Sequence, residues 1–201
     1  MLDRAIQQVL KPVLQRVAHG LVRAGVGADA LSFIGFALGM AAALSIVFQH
    51  FMAGLVLLLL SRLMDGLDGA VARLTHPTDR GGFLDITLDF LFYAAIPLAF
   101  AVANPASNAL PAAVLLASFM GTASSFLAIA LVAAKRELAS TEFPDKSFYF
   151  LGGLTEATET IAAFVAMCLW PQWFAPIAYG FAALCAITTA LRIGWGWQRF
   201  K

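Results

Sequence analysis

Six apolar stretches, at about residues 30–49, 51–72, 83–103, 110–134, 148–169 and 174–194, dominate this sequence. Each is close to the roughly 20 residues that carry a helix across the hydrocarbon core of a bilayer. Lipid offers the backbone no hydrogen-bond partners, so a chain of this kind satisfies its amides internally, as helices. The sequence therefore predicts an all-α integral membrane bundle of six transmembrane helices. Charged residues make up only 12% of the chain, about half their usual share in a soluble domain.

The turns between the stretches alternate in character. Residues 49–50, 104–108 and 170–173 contain no Lys, Arg, Asp or Glu. All thirteen Lys and Arg belong to the other side. Arg4, Lys11, Arg16 and Arg23 precede the first stretch, and Arg62, Arg73 and Arg80 surround the junction of the second and third. Lys135, Arg136 and Lys146 follow the fourth, and Arg192, Arg199 and Lys201 end the chain. The positive-inside rule places both termini and that junction at the cytoplasmic face of a multi-pass membrane protein, in the inner membrane if the source is bacterial. A net charge of +1 gives no basic footprint for nucleic acid. Cys168 and Cys185 fall in apolar runs and read as small buried hydrophobes.

Ahead of the first stretch, Leu2, Ile6, Val9, Leu10, Val13 and Val17 recur at helical spacing, with polar residues between them. This pattern predicts a helix lying in the membrane interface, bent near Pro12. Residues 1–27 form this interfacial helix and its lead-in, and residues 28–201 form the six-span domain. A cleaved leader is not expected, because the first long apolar run starts near Ala30. Trp170, Trp173, Trp195 and Trp197 mark span ends as interfacial aromatics do. Gly35 and Gly39, four apart, admit close helix packing within the chain or, in a second reading, across a homodimer. His19 and His50 read as interfacial polar residues; His76, in a turn, is a weaker candidate for a role near phosphate.

Against this background stand Asp65, Asp68, Asp85 and Asp89. A charge in the bilayer costs about 3 kcal/mol even on lenient scales, and four of one sign repel unless a cation sits among them. Asp65 and Asp68 are three apart and Asp85 and Asp89 four apart, so each pair shares a helix face. A short 74–82 turn that folds the two helices antiparallel sets the pairs across one gap. Such hard oxygen ligands suit Mg²⁺, Mn²⁺ or Ca²⁺ rather than Zn²⁺. Two such ions about 4 Å apart form an established arrangement for in-line phosphoryl displacement. Gly66, Gly69, Gly81 and Gly82 leave room for a phosphate-bearing ligand to approach backbone, and Arg73 can clamp phosphate oxygens. The bland alternative is an ion-pair network of these acids with Arg62, Arg73 and Arg80, which does not call for the glycines.

The stretch 65–89 resembles the signature of the CDP-alcohol phosphotransferase family, Asp-x-x-Asp-Gly-x-x-Ala-Arg, a gap, then Gly-x-x-x-Asp-x-x-x-Asp. Asp65, Asp68, Gly69, Ala72, Arg73, Gly81, Asp85 and Asp89 fill its fixed positions. The gap before Gly81 is one residue shorter than the commonest form, which predicts an altered turn. The six spans and the interfacial helix also match. The resemblance implies transfer of a substituted phosphate, most often phosphatidyl from CDP-diacylglycerol, to the hydroxyl of a small alcohol, with release of CMP, in phospholipid biosynthesis. It implies a two-metal site of Mg²⁺ or Mn²⁺ held by Asp65, Asp68 and Asp85, with Asp89 sharing that duty and also acting as general base. It further implies that Asp65, Gly69, Ala72, Arg73 and Gly81 bind the CDP portion. Membrane lipids and the CDP-lipid are then the partners.

For the acceptor, relatives that use inositol phosphate often carry Lys-Ala-Arg-Ala-Glu and Glu-Arg-Pro-Glu-Arg. Here the corresponding positions read Ala134-Lys135-Arg136-Glu137 and Glu156-Ala157-Thr158-Glu159-Thr160. Both arginines of the second motif are replaced, which removes the natural clamps of a phosphorylated polyol. The expected acceptor is an unphosphorylated alcohol, or a phosphate held otherwise by Lys135, Arg136 and Lys146, with Glu156 as a further acceptor contact. Glu156 and Glu159 also read as helix caps. Before the first span, Ala28-Asp29-Ala30-Leu31-Ser32 departs from the family's Pro-Asn-x-Leu-Thr. Two other classes compete: a divalent-cation carrier that uses the same carboxylates, and an inactive membrane scaffold. A carrier favours midplane acids on broken helices, and a scaffold favours loss of an aspartate; neither feature is present.

Overall fold

The computed structural model describes residues 2–136 and 154–200, with residues 2–10 as backbone alone. Among these residues every regular element is helical, as the apolar periodicity requires. In chain order they are α1 (Leu2–Arg23), α2 (Ala28–Val47), α3 (Phe51–Leu74), α4 (Asp79–Ala103), α5 (Pro105–Lys135), α6 (Ala157–Leu169), a 3₁₀ turn (Pro171–Trp173) and α7 (Phe174–Arg199).

Four segments are long and apolar enough to cross a membrane: Ala28–Val47, Asp79–Ala103, Pro105–Lys135 and Pro171–Arg199. The other two expected spans differ from the sequence reading in character. Helix α3 has 24 residues, but from its middle onward it carries Arg62, Asp65, Asp68 and Arg73. Helix α6 has 13 residues and starts at Ala157, nine positions after the expected 148. It starts there because Glu156 and Glu159 form a reciprocal capping box: each side chain accepts from the other residue's backbone N–H. Helix α4 likewise begins four residues before the expected 83. Thr78 Oγ1 accepts the Gly81 amide at 3.0 Å, and the polar first turn that follows is hidden from a reading based on apolar runs.

The loops follow from local chemistry. After α1, Gly25 takes φ +77°, while Val26 N donates to Leu21 O and Gly25 N to Val22 O; this double bond pattern closes a helix C-terminus with a left-handed residue. Gln49 repeats the device after α2 at φ 62°, and its side chain donates to Ala103 O at 3.1 Å. Helix α1 runs unbroken through Pro12.

Helix α2 is the spine: it packs against both α3 and α4, while α5 joins α4 to α7. The core is aromatic, with Phe92, Phe100, Phe164 and Phe174 fully buried and the Phe100 and Phe174 rings stacked at 4.7 Å. Outside it, Leu44, Val56, Leu98, Leu110, Met120, Leu131 and Leu191 are exposed, an apolar girdle that water would penalise and lipid favours. Helix α1 lays Ala18 and Leu14 against Leu31, Leu67, Ala70 and Val71, leaving Val13 and Val17 outward. Gly35 and Gly39 are consumed inside the fold. A Cβ at Gly35 would lie 3.1 Å from Met64 Cβ, and one at Gly39 would lie 2.6 Å from the Phe92 ring. Their small size sets the approach of α2 to α3 and α4.

Candidate active site

The helical period puts Asp65 and Asp68 on one face of α3, and Asp85 and Asp89 on one face of α4. With α2 wedged against both helices, these faces open onto a common cleft lined by Ser32, Gly35, Phe36, Arg62, Asp65, Asp68, Asp85, Leu88 and Asp89. One carboxylate oxygen each from Asp65, Asp68 and Asp85 lies within 4.8 Å of the others. The three grade outward, with Asp68 buried, Asp65 half-buried and Asp85 exposed. Ser32 Oγ donates to Asp68 Oδ2 at 2.7 Å and so fixes the most deeply placed carboxylate.

Asp89 has a different partner. Arg62 Nη1 donates to Asp89 Oδ1 at 2.6 Å and stands 3.6 Å from Asp65 Oδ2. Its Nη2 donates to Ser61 Oγ at 3.2 Å, and Ser61 Oγ donates to Gly35 O at 2.7 Å. The guanidinium rests on the Phe92 ring, with Cζ 3.9 Å from the centroid. Arg62 lies midway along α3, and paired carboxylates and an aromatic face offset the cost of burying its charge.

The donor set fits a hard divalent cation. Oxygens at this spacing can turn towards a common ion, and the lining of the cleft holds four carboxylates and no His or Cys. Of the expected nucleotide residues, Asp65 lines the cleft, and Gly69, Ala72, Arg73 and Gly81 do not. Arg73 is exposed, and its Nη1 sits 3.3 Å from where a Cβ on Gly69 would be, so Gly69 gives the arginine room to lie over α3. Ala72 is half-buried beside it. Gly81 is tied to Thr78 and lies near Asp29, where a Cβ would be 3.7 Å from the Asp29 carboxylate. Asp29 itself pairs with Arg80, clasping the starts of α2 and α4. Gly66 faces Leu14 of α1; it serves helix packing and not the cleft, contrary to the sequence expectation.

The expected acceptor residues are dispersed. Lys135 and Arg136 end α5, and Arg136 Nη2 donates to Phe200 O at 2.9 Å, with its guanidinium over the Phe200 ring. Glu156 is buried at the start of α6 and engaged in its cap. None of these three lines the cleft, and Lys146 lies outside the described residues. His19 Nδ1 bonds Gln15 O, and His50 and His76 are exposed. Sequence reasoning missed two features. Arg192, taken as a terminal basic residue, is buried in α7 with Nη1 on Thr122 O at 3.0 Å. Ser32, seen only as a departure from a motif, is an Asp68 partner; its spacing of three from Asp29 was the available signal.

Residues 26–192 match the family model for CDP-alcohol phosphatidyltransferase. The chain belongs to the CDP-alcohol phosphatidyltransferase family. The match takes in all four aspartates, Ser32, Arg62, Arg73 and Arg192 of this family enzyme, and leaves α1 outside. Inner membrane protein YnjF of Escherichia coli (strain K12) is 49% identical over 201 residues, covering 100% of this chain and 98% of that protein. The archaetidylinositol phosphate synthase of Pyrococcus horikoshii is 34% identical over 97 residues, 48% of this chain and 51% of that enzyme. Among solved structures, Mycobacterium tuberculosis phosphatidylinositol phosphate synthase with CDP-DAG bound aligns at a TM-score of 0.72 and 21% identity, covering 91% of this chain and 92% of that one. The same synthase in complex with manganese and citrate aligns at 0.71, covering 92% and 88%. At such identity the likeness is one of fold.

Proposed function

We propose that this family enzyme moves a phosphatidyl group from CDP-diacylglycerol to the hydroxyl of a small, unphosphorylated alcohol and releases CMP. The observation that carries the reading is the meeting of Asp65, Asp68 and Asp85 oxygens within 4.8 Å, with Asp89 one turn along α4. The mycobacterial synthase that shares the fold supports it, having been crystallised with CDP-DAG and with manganese. Mg²⁺ or Mn²⁺, held by Asp65, Asp68 and Asp85 with a second ion towards Asp89, would supply charge neutralisation for the pyrophosphate. Arg73, from the open end, binds phosphate oxygens with its planar fork, and Gly69, Ala72 and Gly81 keep that approach clear for the cytidine diphosphate.

Asp89 takes the proton from the acceptor hydroxyl. The freed oxygen attacks the β-phosphorus, the bond from that phosphorus to the bridging oxygen breaks, and CMP departs with the bridging oxygen. Arg62, seated on the Phe92 ring, holds Asp89 in place beside the other three carboxylates. The reading of an uncharged acceptor rests on the first turn of α6. Ala157 and Thr160 stand where an arginine clamp is expected, and Thr160 Oγ1 donates to Glu156 O at 2.9 Å.

The same proposal sets the chain in the bacterial inner membrane with six spans, α2 to α7, and with α1 in the cytoplasmic interface. The one-sided charge map, the exposed apolar girdle and the inner-membrane relative all support it. The deciding experiment offers the purified chain CDP-diacylglycerol, Mn²⁺ and a panel of free and phosphorylated alcohols, and follows CMP. Turnover with a free alcohol, lost in Asp89→Asn, is expected. Turnover confined to polyol phosphates would overturn the acceptor assignment, and metal flux across vesicles without CMP would favour a carrier.

A further inference from the structure

We infer that Arg62 is a built-in cation of the metal centre: its guanidinium holds the Asp89 end of the quartet and makes the two ion positions unequal. This rests on the reading of the aspartates as a divalent-cation site, and it adds a positioning residue that acts through Asp89.

The geometry of the arginine is the argument. Three carboxylates converge on one another, whereas Asp89 is turned to Arg62 at 2.6 Å and Asp65 offers its Oδ2 to the same Nη1 at 3.6 Å. A second divalent ion that uses Asp89 must therefore share that carboxylate with a positive charge already bonded to it, and like charges at this range repel strongly where the dielectric is low. An ion at Asp65, Asp68 and Asp85 meets the guanidinium through only one shared carboxylate, and the more distant contact of the two.

Arg62 has little freedom to withdraw. Its side chain is 10% exposed, it lies flat on Phe92, and Ser61 ties it to the backbone of α2. Its Nε is buried without an acceptor among the described residues, a loss that a surface arginine would avoid by turning to water. The arrangement is a fixed charge in a fixed seat: Nη2 anchors on Ser61, Nε goes without an acceptor, and Nη1 is held against Asp89 and Asp65. Its consequence is division of labour: three aspartates serve the tight ion, and Asp89 is kept for the acceptor hydroxyl, with any second ion arriving as the weaker guest.

The test counts ions rather than turnovers. The purified full chain in detergent is titrated with Mn²⁺ and the free ion followed by electron paramagnetic resonance, without substrate, for wild type, Arg62→Met, Arg62→Lys and Arg62→Gln. Wild type is expected to bind one Mn²⁺ tightly and a second at least tenfold more weakly. Arg62→Met is expected to tighten the second at least tenfold and leave the first within threefold, while Arg62→Lys, which keeps the charge, restores the unequal pattern. Two equal sites in wild type, or a second site unmoved in an Arg62→Met protein that still holds its first ion, would overturn the inference and leave the proposed function standing. Should Arg62→Met fail to fold, Arg62→Gln decides. It keeps a polar side chain over Phe92 but removes the charge, and a tightened second site supports the inference, whereas wild-type binding refutes it. No Mn²⁺ bound by wild type would remove the metal reading and this inference together.

Discussion

Ser32 Oγ bonds the Asp68 carboxylate at 2.7 Å, from the second turn of α2 to the charged half of α3. The hydroxyl occupies Oδ2 and so leaves Asp68 one preferred face for an ion. Partners of this kind typically set metal affinity by 10- to 100-fold. Ser32→Ala is expected to weaken Mn²⁺ binding about tenfold, at the lower end of that range because the partner is a neutral hydroxyl. Ser32→Thr, which keeps the hydroxyl, should restore it. A Mn²⁺ titration with equal affinity in wild type and Ser32→Ala would show that the bond does not orient the ligand.

Gly39 offers a prediction about packing. A Cβ there would lie 2.6 Å from the Phe92 ring and 3.1 Å from Ser61 Oγ, and both groups support Arg62. Gly39→Ala must move an aromatic ring that is fully buried, an overpacking cost of about 1–3 kcal/mol. Thermal unfolding in detergent should register it. Gly180→Ala, where a Cβ meets nothing within 4 Å, should leave the midpoint unchanged or slightly higher. Equal behaviour of the two variants would mean that α2 and α4 are not in this contact.

The quartet was legible because carboxylates at three-and-four spacing in a lipid-soluble sequence rarely serve anything but a cation, and the structure does bring Asp65, Asp68 and Asp85 together. Arg62 was not. Basic residues of membrane helices are expected at the ends, and the partner that holds this one, Asp89, is 27 positions away on another helix. Only the wedge of α2 brings the two into range. Helix starts were misplaced where the first turn is polar, at Asp79 and Ala157, because apolar runs report where lipid begins and caps report where a helix begins. Arg192 shows the same limit: its charge was legible, and its burial against Thr122 of α5 was not.

The capping box of α6 yields a prediction with a functional edge. Glu156 N donates to Glu159 Oε2 at 3.1 Å, and a helix of 13 residues depends on its ends. Glu159→Ala should cost about 1 kcal/mol, the usual worth of a lost cap. Because the cap lies outside the cleft, kcat/KM for the best acceptor should stay within twofold at temperatures well below the unfolding midpoint. A tenfold rise in acceptor KM without loss of stability would instead make Glu159 itself an acceptor contact.

Metal rescue separates ligand from base within the quartet. Asp85 is the exposed member, and Asp85→Asn keeps an oxygen in place while removing its charge. The variant should need at least tenfold more Mn²⁺, a loss of about 1.4 kcal/mol in binding, and regain CMP release when that is supplied. Asp89→Asn loses the group that accepts the hydroxyl proton, and no concentration of ion replaces it. Its activity should stay low at saturating Mn²⁺ while the tight ion at Asp65, Asp68 and Asp85 still binds. Chelation should silence the wild type, with Mg²⁺ or Mn²⁺ restoring it and Zn²⁺ failing, because the donors are hard oxygens alone. Rescue of Asp89→Asn by metal would move that residue from base to ligand and reverse the roles assigned to the two ends of the cleft.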